Sequence, residues 1–170
     1  MASVDYDPVK AHEYYMKHRE LKGRRSTKGM NDTQKEQLAY AKEQLKQEYK
    51  DKKTAISETA TGQKVYISEQ IAAQKEQLTN QTKEKVDALK AQLKEQLKNM
   101  PKEQKEAIRE KINGMISTLR EDLKDAKSDL SDAGKEAKEE VKESANAAKE
   151  KAKEDYEAGM DAAYNRIKKG

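Results

Sequence analysis

The sequence predicts an all-α protein organised around an antiparallel helical hairpin, on three observations. Between about Val65 and Ala133, apolar or small residues fall at Ile71, Leu78, Thr82, Val86, Leu89, Leu93 and Leu97 before Pro101. After it they fall at Ile108, Ile112, Met115 or Ile116, Leu119, Leu123, Ala126, Leu130 and Ala133. Such spacing, built on steps of three and four, lines up side chains on one helical face. Second, the two series mirror each other: Leu93 with Ile108, Leu89 with Ile112, Val86 with Met115, Thr82 with Leu119, Leu78 with Leu123 and Ile71 with Leu130 all have position numbers summing to 201. A chain folded back at Met100-Pro101 brings these pairs level. Third, Ala, Glu, Lys, Leu and Arg make up 88 of the 170 residues, the composition of long helices and coiled coils.

The same composition argues against a compact core. Leu, Ile and Val total 22 of 170, with no Phe and no Trp, a fraction low enough to fall in the range of disordered chains. The net charge is only +4, because 36 basic residues face 32 acidic ones, so strong self-repulsion is absent. Extended helices with thin apolar seams reconcile these facts. Cysteine is absent, which removes disulfides and thiolate chemistry. The opening MASVDYDPVK lacks the charged-then-apolar run of a secretory signal, and no apolar run approaches the ~18 residues of a membrane span. The expectation is a protein that is not secreted and has no membrane span.

Taken in order, residues 1–30 form a basic, Tyr-rich module with seven Lys/Arg and four Asp/Glu. Asp7 is placed to cap a helix with Pro8 at its first position, and a short separate helix runs to Gly23. The loop GRRSTKG follows. Residues 31–63 form a helix starting at Thr33, whose spacing to Glu36 makes a capping box, with a seam at Leu38, Ala41, Leu45, Tyr49 and Ile56. The segment SETATGQK (57–64), with its Thr residues and Gly62, is expected to break or weaken that helix. Residues 64–133 form the hairpin, turning at 100–101, where Met100 precedes a proline and is biased away from the helical region. Gly134 suits a C-cap or hinge. Residues 134–170 form an Ala/Lys/Glu-rich tail with a weak apolar face. The whole is an elongated antiparallel hairpin or coiled coil, with a short N-terminal helix and a weakly packed C-terminal helix. QKEQL at 34–38 and 74–78, AKEQL at 41–45 and LKEQL at 93–97 read as compositional drift, with no regular period.

Little here supports catalysis. His12 and His18 are the only histidines, and their six-residue step suits a shared metal poorly. The carboxylates are spaced as solvated helix faces, without a pocket to tune them. The expectation is no enzyme, no cofactor and no metal. The seam residues Ile71, Leu78, Val86, Leu89, Leu93, Leu97, Ile108, Ile112, Ile116, Leu119, Leu123 and Leu130 pack helices together, within a chain or between chains, so a homo-oligomer is expected. The basic loop Lys22–Lys28 has four readings: a solvated linker; a tether to an acidic protein surface, with tyrosines supplying contact area; a non-specific nucleic-acid contact through Arg24, Arg25 and Lys28; and a membrane-surface helix over 8–22. The candidate anchor comprises Tyr6, Tyr14, Tyr15, Arg19, Lys22, Arg24, Arg25 and Lys28.

The stretches DYDPVKAHEYYMKHRELKGRRS and NMPKEQKEAIREKINGMISTLRED resemble small structural proteins encoded among the head genes of tailed bacteriophages. The resemblance implies a scaffold-like or minor head component acting in virion assembly, in the virion or the host cytoplasm. It implies that residues 5–28 grip a capsid or portal protein while the helices set spacing or oligomer state. In the tail, AAKEKAKEDYEAG looks like late-embryogenesis-abundant stress proteins, which are disordered until dried or bound; such proteins have no need of a mirrored Leu/Ile hairpin. Secreted helical surface proteins are a third resemblance, set against the missing signal peptide.

Overall fold

A computed structural model describes Lys10 and residues 25–170. Two long helices account for almost all of the described chain: α1, Asp32–Leu97, and α2, Lys102–Lys169, packed antiparallel on each other. The all-α antiparallel hairpin is therefore the fold. The expected helix start at Asp7-Pro8 and the histidines at 12 and 18 lie outside the described residues.

The entry to α1 is a tight turn. Met30 N–H donates to the Thr27 carbonyl at 3.1 Å, and Gly29 sits at φ +86°, a left-handed conformation that glycine adopts without steric penalty. The cap itself is Asn31, two residues before the expected Thr33. Gln34 N–H donates to Asn31 Oδ1 at 2.8 Å while Asn31 N–H donates to Gln34 Oε1 at 3.0 Å, a reciprocal capping box. Thr33 and Glu36 have no part in it. At the other end α1 stops at Leu97, three residues before Met100, and α2 starts at Lys102. Gln104 N–H donates to the Pro101 carbonyl at 3.0 Å, so the proline stands where its missing N–H is harmless.

Two expected interruptions are absent. α1 runs unbroken through 57–64. Its hydroxyls are satisfied within the helix, Thr54 donating to the Lys50 carbonyl and Thr61 to the Ser57 carbonyl. Ile56, Ala60 and Ile67 meanwhile keep the seam covered, so packing overrides the weak propensity of Thr and Gly. α2 likewise runs through Gly134, which is buried. A Cβ there would lie 3.1 Å from Ile71 Cγ1, so glycine serves close approach rather than a hinge.

Contacts divide the chain into two compact units. Unit 2, Ser57–Asn146, contains the turn. Its core is Val86, Ile112 and Ile116 at 5–6% exposure, with Leu89, Leu93, Ile108 and Leu119 packed against them. Burying each of these three is worth roughly 2 kcal/mol. Met115, expected opposite Val86, is 46% exposed while Ile116 is 6%, so the seam position belongs to Ile116. Unit 1, extending to Ile56 and including Ala147–Gly170, buries Met30, Ala152, Met160, Ala163, Tyr164 and Ile167. The tail thus carries five of the nine buried apolar side chains among the described residues.

The mirror register needs one correction. Ile71 faces Gly134 and Lys75 reaches Ser131 in unit 2; in unit 1, Leu45 lies against the Gly159 backbone and Tyr49 stacks on Tyr156. These partners lie four or so residues further from the turn than a sum of 201 places them. Helical side chains lean toward their own N-terminus, which in α1 means away from the turn, so an α1 side chain meets a later residue of α2.

A period of eleven also runs through the seam, where no period was expected. In α1, Gln34, Leu45, Ile56, Ile67, Leu78 and Leu89 form one row, and Leu38, Tyr49, Ala60, Ile71, Thr82 and Leu93 a second; every member is at least half-buried. In α2 the rows are Ile108, Leu119, Leu130, Val141, Ala152, Ala163 and Ile112, Leu123, Gly134, Ala145, Tyr156, Ile167, again all covered. A third row holds Lys64, Lys75, Val86 and Leu97 in α1 and Ile116, Lys127, Lys138, Lys149 and Met160 in α2, all partly or fully covered. Eleven residues over three turns is about 3.67 per turn, close to the helix's own 3.6 and opposite in drift to a heptad. Lysine fits the third row because its methylene stem lies along the seam while the ammonium stays in water.

Candidate interaction surface

Unit 1 is closed by a polar clasp. Arg25 Nη2 lies 2.7 Å from Glu157 Oε2 and Arg25 Nε 3.4 Å from Asp161 Oδ1. The two carboxylates are four residues apart on α2, one turn, so a single guanidinium fork spans both. The Asp161 contact is an ion pair without hydrogen-bond alignment. Beside it, Tyr164 is 3% exposed; its hydroxyl donates to the Ser26 carbonyl at 2.6 Å and accepts from Lys168 Nζ at 3.2 Å. Gln34 Nε2 donates to the Ile167 carbonyl at 3.2 Å, occupying one of the orphan acceptors at the end of α2. Tyr49 and Tyr156 stack at 5.3 Å with Lys53 Nζ 5.1 Å from the Tyr49 ring centre.

This arrangement bears on the candidate anchor. Arg25 is held inside the clasp and Lys28 is exposed. Tyr6, Tyr14, Tyr15, Arg19, Lys22 and Arg24 lie outside the described residues. Of the seam residues, Ile71, Leu78, Leu89, Leu93, Leu97, Ile108, Leu119, Leu123 and Leu130 are half-buried, while Val86, Ile112 and Ile116 are buried. Glu157, Asp161 and Gln34 were not singled out from the sequence. A lag of eleven in the apolar pattern was the available signal for the seam; nothing in the sequence pairs position 25 with position 157.

The seam of unit 2 is bordered by shallow grooves. One is lined by Thr59, Gly62, Gln63, Tyr66, Ile67, Ala137, Glu140, Val141 and Ser144, and Tyr66 and its neighbour Val65 are 62% and 52% exposed. Another is lined by Ser68, Ile71, Ala72, Lys75, Ser131, Gly134, Lys135 and Lys138. Both are open faces rather than enclosed cavities. Among the described residues no group of His, Asp and Glu could hold a metal, and no helix is long and apolar enough to cross a membrane. Set beside known protein families, characterised proteins and solved structures, the chain matches none of them.

Proposed function

We propose that the chain is a non-enzymatic structural protein of particle assembly: a scaffold-like or minor head component of a tailed-phage type virion, working through helix self-association and an N-terminal anchor. The observation that carries this reading is the thinness of the hairpin. Helices gain stability by burying an apolar stripe between layers, yet no described side chain falls below 2% exposure, and Tyr40, Val65, Tyr66 and Met115 stand 46–69% exposed. Such a pair of helices has faces to offer a second copy. The resemblance of residues 5–26 and 99–122 to phage head proteins supplies the setting, and a capsid or portal protein the partner for the anchor. With Arg25 engaged by Glu157 and Asp161, Lys28 and the residues before 25 are left for that contact.

The test is light-scattering mass over a concentration series, followed by binding of capsid and portal proteins to the full chain and to a chain lacking residues 1–24. That deletion keeps the clasp. A mass above one chain, with partner binding lost on deletion, supports the proposal; a monomer at all concentrations, or binding indifferent to the deletion, sinks it. A late-embryogenesis-abundant-like stress role is the second reading. It is favoured by the lysines that replace apolar residues in the third seam row. A chain that is unfolded in buffer and gains helix only on drying would bring it forward.

A further inference from the structure

Unit 2 is close to electroneutral, with 17 Lys/Arg against 18 Asp/Glu, but between Arg120 and Glu143 of α2 the charges are segregated. Placed at 100° per residue, Arg120, Lys124, Lys127, Lys135, Lys138 and Lys142 of α2 fall within an arc of about 80°. The nine carboxylates between Glu121 and Glu143 fall within a separate arc of about 100°. The basic arc borders the seam on the side where Lys75 of α1 donates to Ser131 Oγ, and where Ser68, Ser131, Lys135 and Lys138 line one groove. Further along the same side, Arg120 and Lys124 share a groove with Asn113, Ile116, Ser117 and Glu121. None of the six cations is within ion-pair distance of a carboxylate.

We propose that this flank of unit 2, Lys75 together with the basic side of α2 from Arg120 to Lys142, binds the backbone phosphates of double-stranded nucleic acid without reading its sequence. Four features select that partner. The cations span 22 residues, about 33 Å of helix, close to the ~34–36 Å of one duplex turn. The uncharged polar residues lining the two grooves, Ser68, Ser131, Asn113 and Ser117, can hydrogen-bond phosphate oxygens and position a backbone. No aromatic side chain lines either groove to stack on unpaired bases. The large apolar ones there, Ile71 and Ile116, are half-buried and buried in the seam and so do not project to enter a lipid surface. Five of the six are Lys, a residue depleted in protein interfaces, where Arg is enriched. On the far side of α2 the carboxylates repel phosphate, so a duplex can approach from one flank only.

The experiment is fluorescence anisotropy of a mixed-sequence duplex of roughly 24 base pairs, a little over two turns, titrated with the full chain at 50 and 200 mM salt. Four phosphate contacts predict an affinity loss of about 150-fold between those concentrations. Lys124→Glu/Lys135→Glu, both exposed, is expected to weaken binding at 50 mM by at least tenfold. Lys85→Glu/Lys111→Glu, an equal charge change at exposed positions outside the basic arc, is expected to leave it within threefold. Circular dichroism of each variant checks that the helices persist. Absence of duplex binding at 50 mM, equal loss in both variants, or loss only on substituting Lys22 and Lys28 overturns the proposal. Binding confined to anionic vesicles, or to a second copy of the chain, overturns it as well.

Discussion

The two units use one eleven-residue scaffold and fill it with different chemistry. In unit 2 the seam near the turn is aliphatic: Val86, Ile112 and Ile116 with Leu89, Leu93, Ile108 and Leu119. In unit 1 the same rows mix Leu38, Leu45, Met160 and Ile167 with the smaller or more polar Ala152, Ala163, Tyr156, Tyr49 and Gln34. There the chain adds a clasp of directed bonds: Arg25 across Glu157 and Asp161, Tyr164 to Ser26, Gln34 to the end of α2. Register and adhesion are therefore separable. The period sets which residues meet, and either apolar burial or a few well-placed polar contacts can hold them.

Substitutions sharpen that contrast, and the largest effect belongs in unit 2. Ile112→Ala is expected to lower the unfolding free energy by about 2–4 kcal/mol in urea melts followed by circular dichroism, whereas Met115→Ala changes it by less than about 0.5 kcal/mol. Equal losses at the two positions would undo the placement of Ile116 in the seam. In unit 1, Tyr164→Phe keeps the ring and removes one hydroxyl, so the expected loss is about 1–2 kcal/mol. Arg25→Ala follows at about 1 kcal/mol, reduced further in high salt because the pair is partly exposed. The glycines give the smallest and most diagnostic effects. Gly62 has open space where a Cβ would go, so Gly62→Ala is expected to stabilise α1 by up to about 1 kcal/mol. At Gly134 the same propensity gain meets Ile71 at 3.1 Å, and thermal melts are expected to show that gain cancelled or reversed.

Much of this fold was legible in the sequence. Pro101 and the aliphatic steps on either side located the turn and the partners around Val86, because Leu and Ile at helical spacing state a face unambiguously. Three things were hidden, each for a physical reason. The period of eleven was masked because Thr82, Gly134, Ala145 and the third-row lysines hold seam positions without being strongly apolar. The unbroken course of α1 through 57–64 was masked because local propensity pointed to a break that packing at Ile56, Ala60 and Ile67 overrides. The clasp was masked because Arg25 sits in what reads as a basic loop, and its carboxylates lie 132 and 136 residues away with no local pattern to connect them. Of the candidate anchor, only Arg25 and Lys28 fall within the described residues, and Arg25 is drawn into the fold.

The register of α1 against α2 can be read directly by a disulfide, since the chain has no cysteine of its own. A Cβ built at Gly134 lies 4.0 Å from Ile71 Cβ, within the ~3.5–4.5 Å that a disulfide spans. Ile71→Cys/Gly134→Cys, oxidised at low protein concentration, is expected to close within one chain, quickly and with helicity retained. Ile71→Cys/Leu130→Cys, level in the simple mirror register, is expected to close more slowly. Faster closure of the 71/130 pair, or cross-links only between chains, would contradict the antiparallel register described for unit 2.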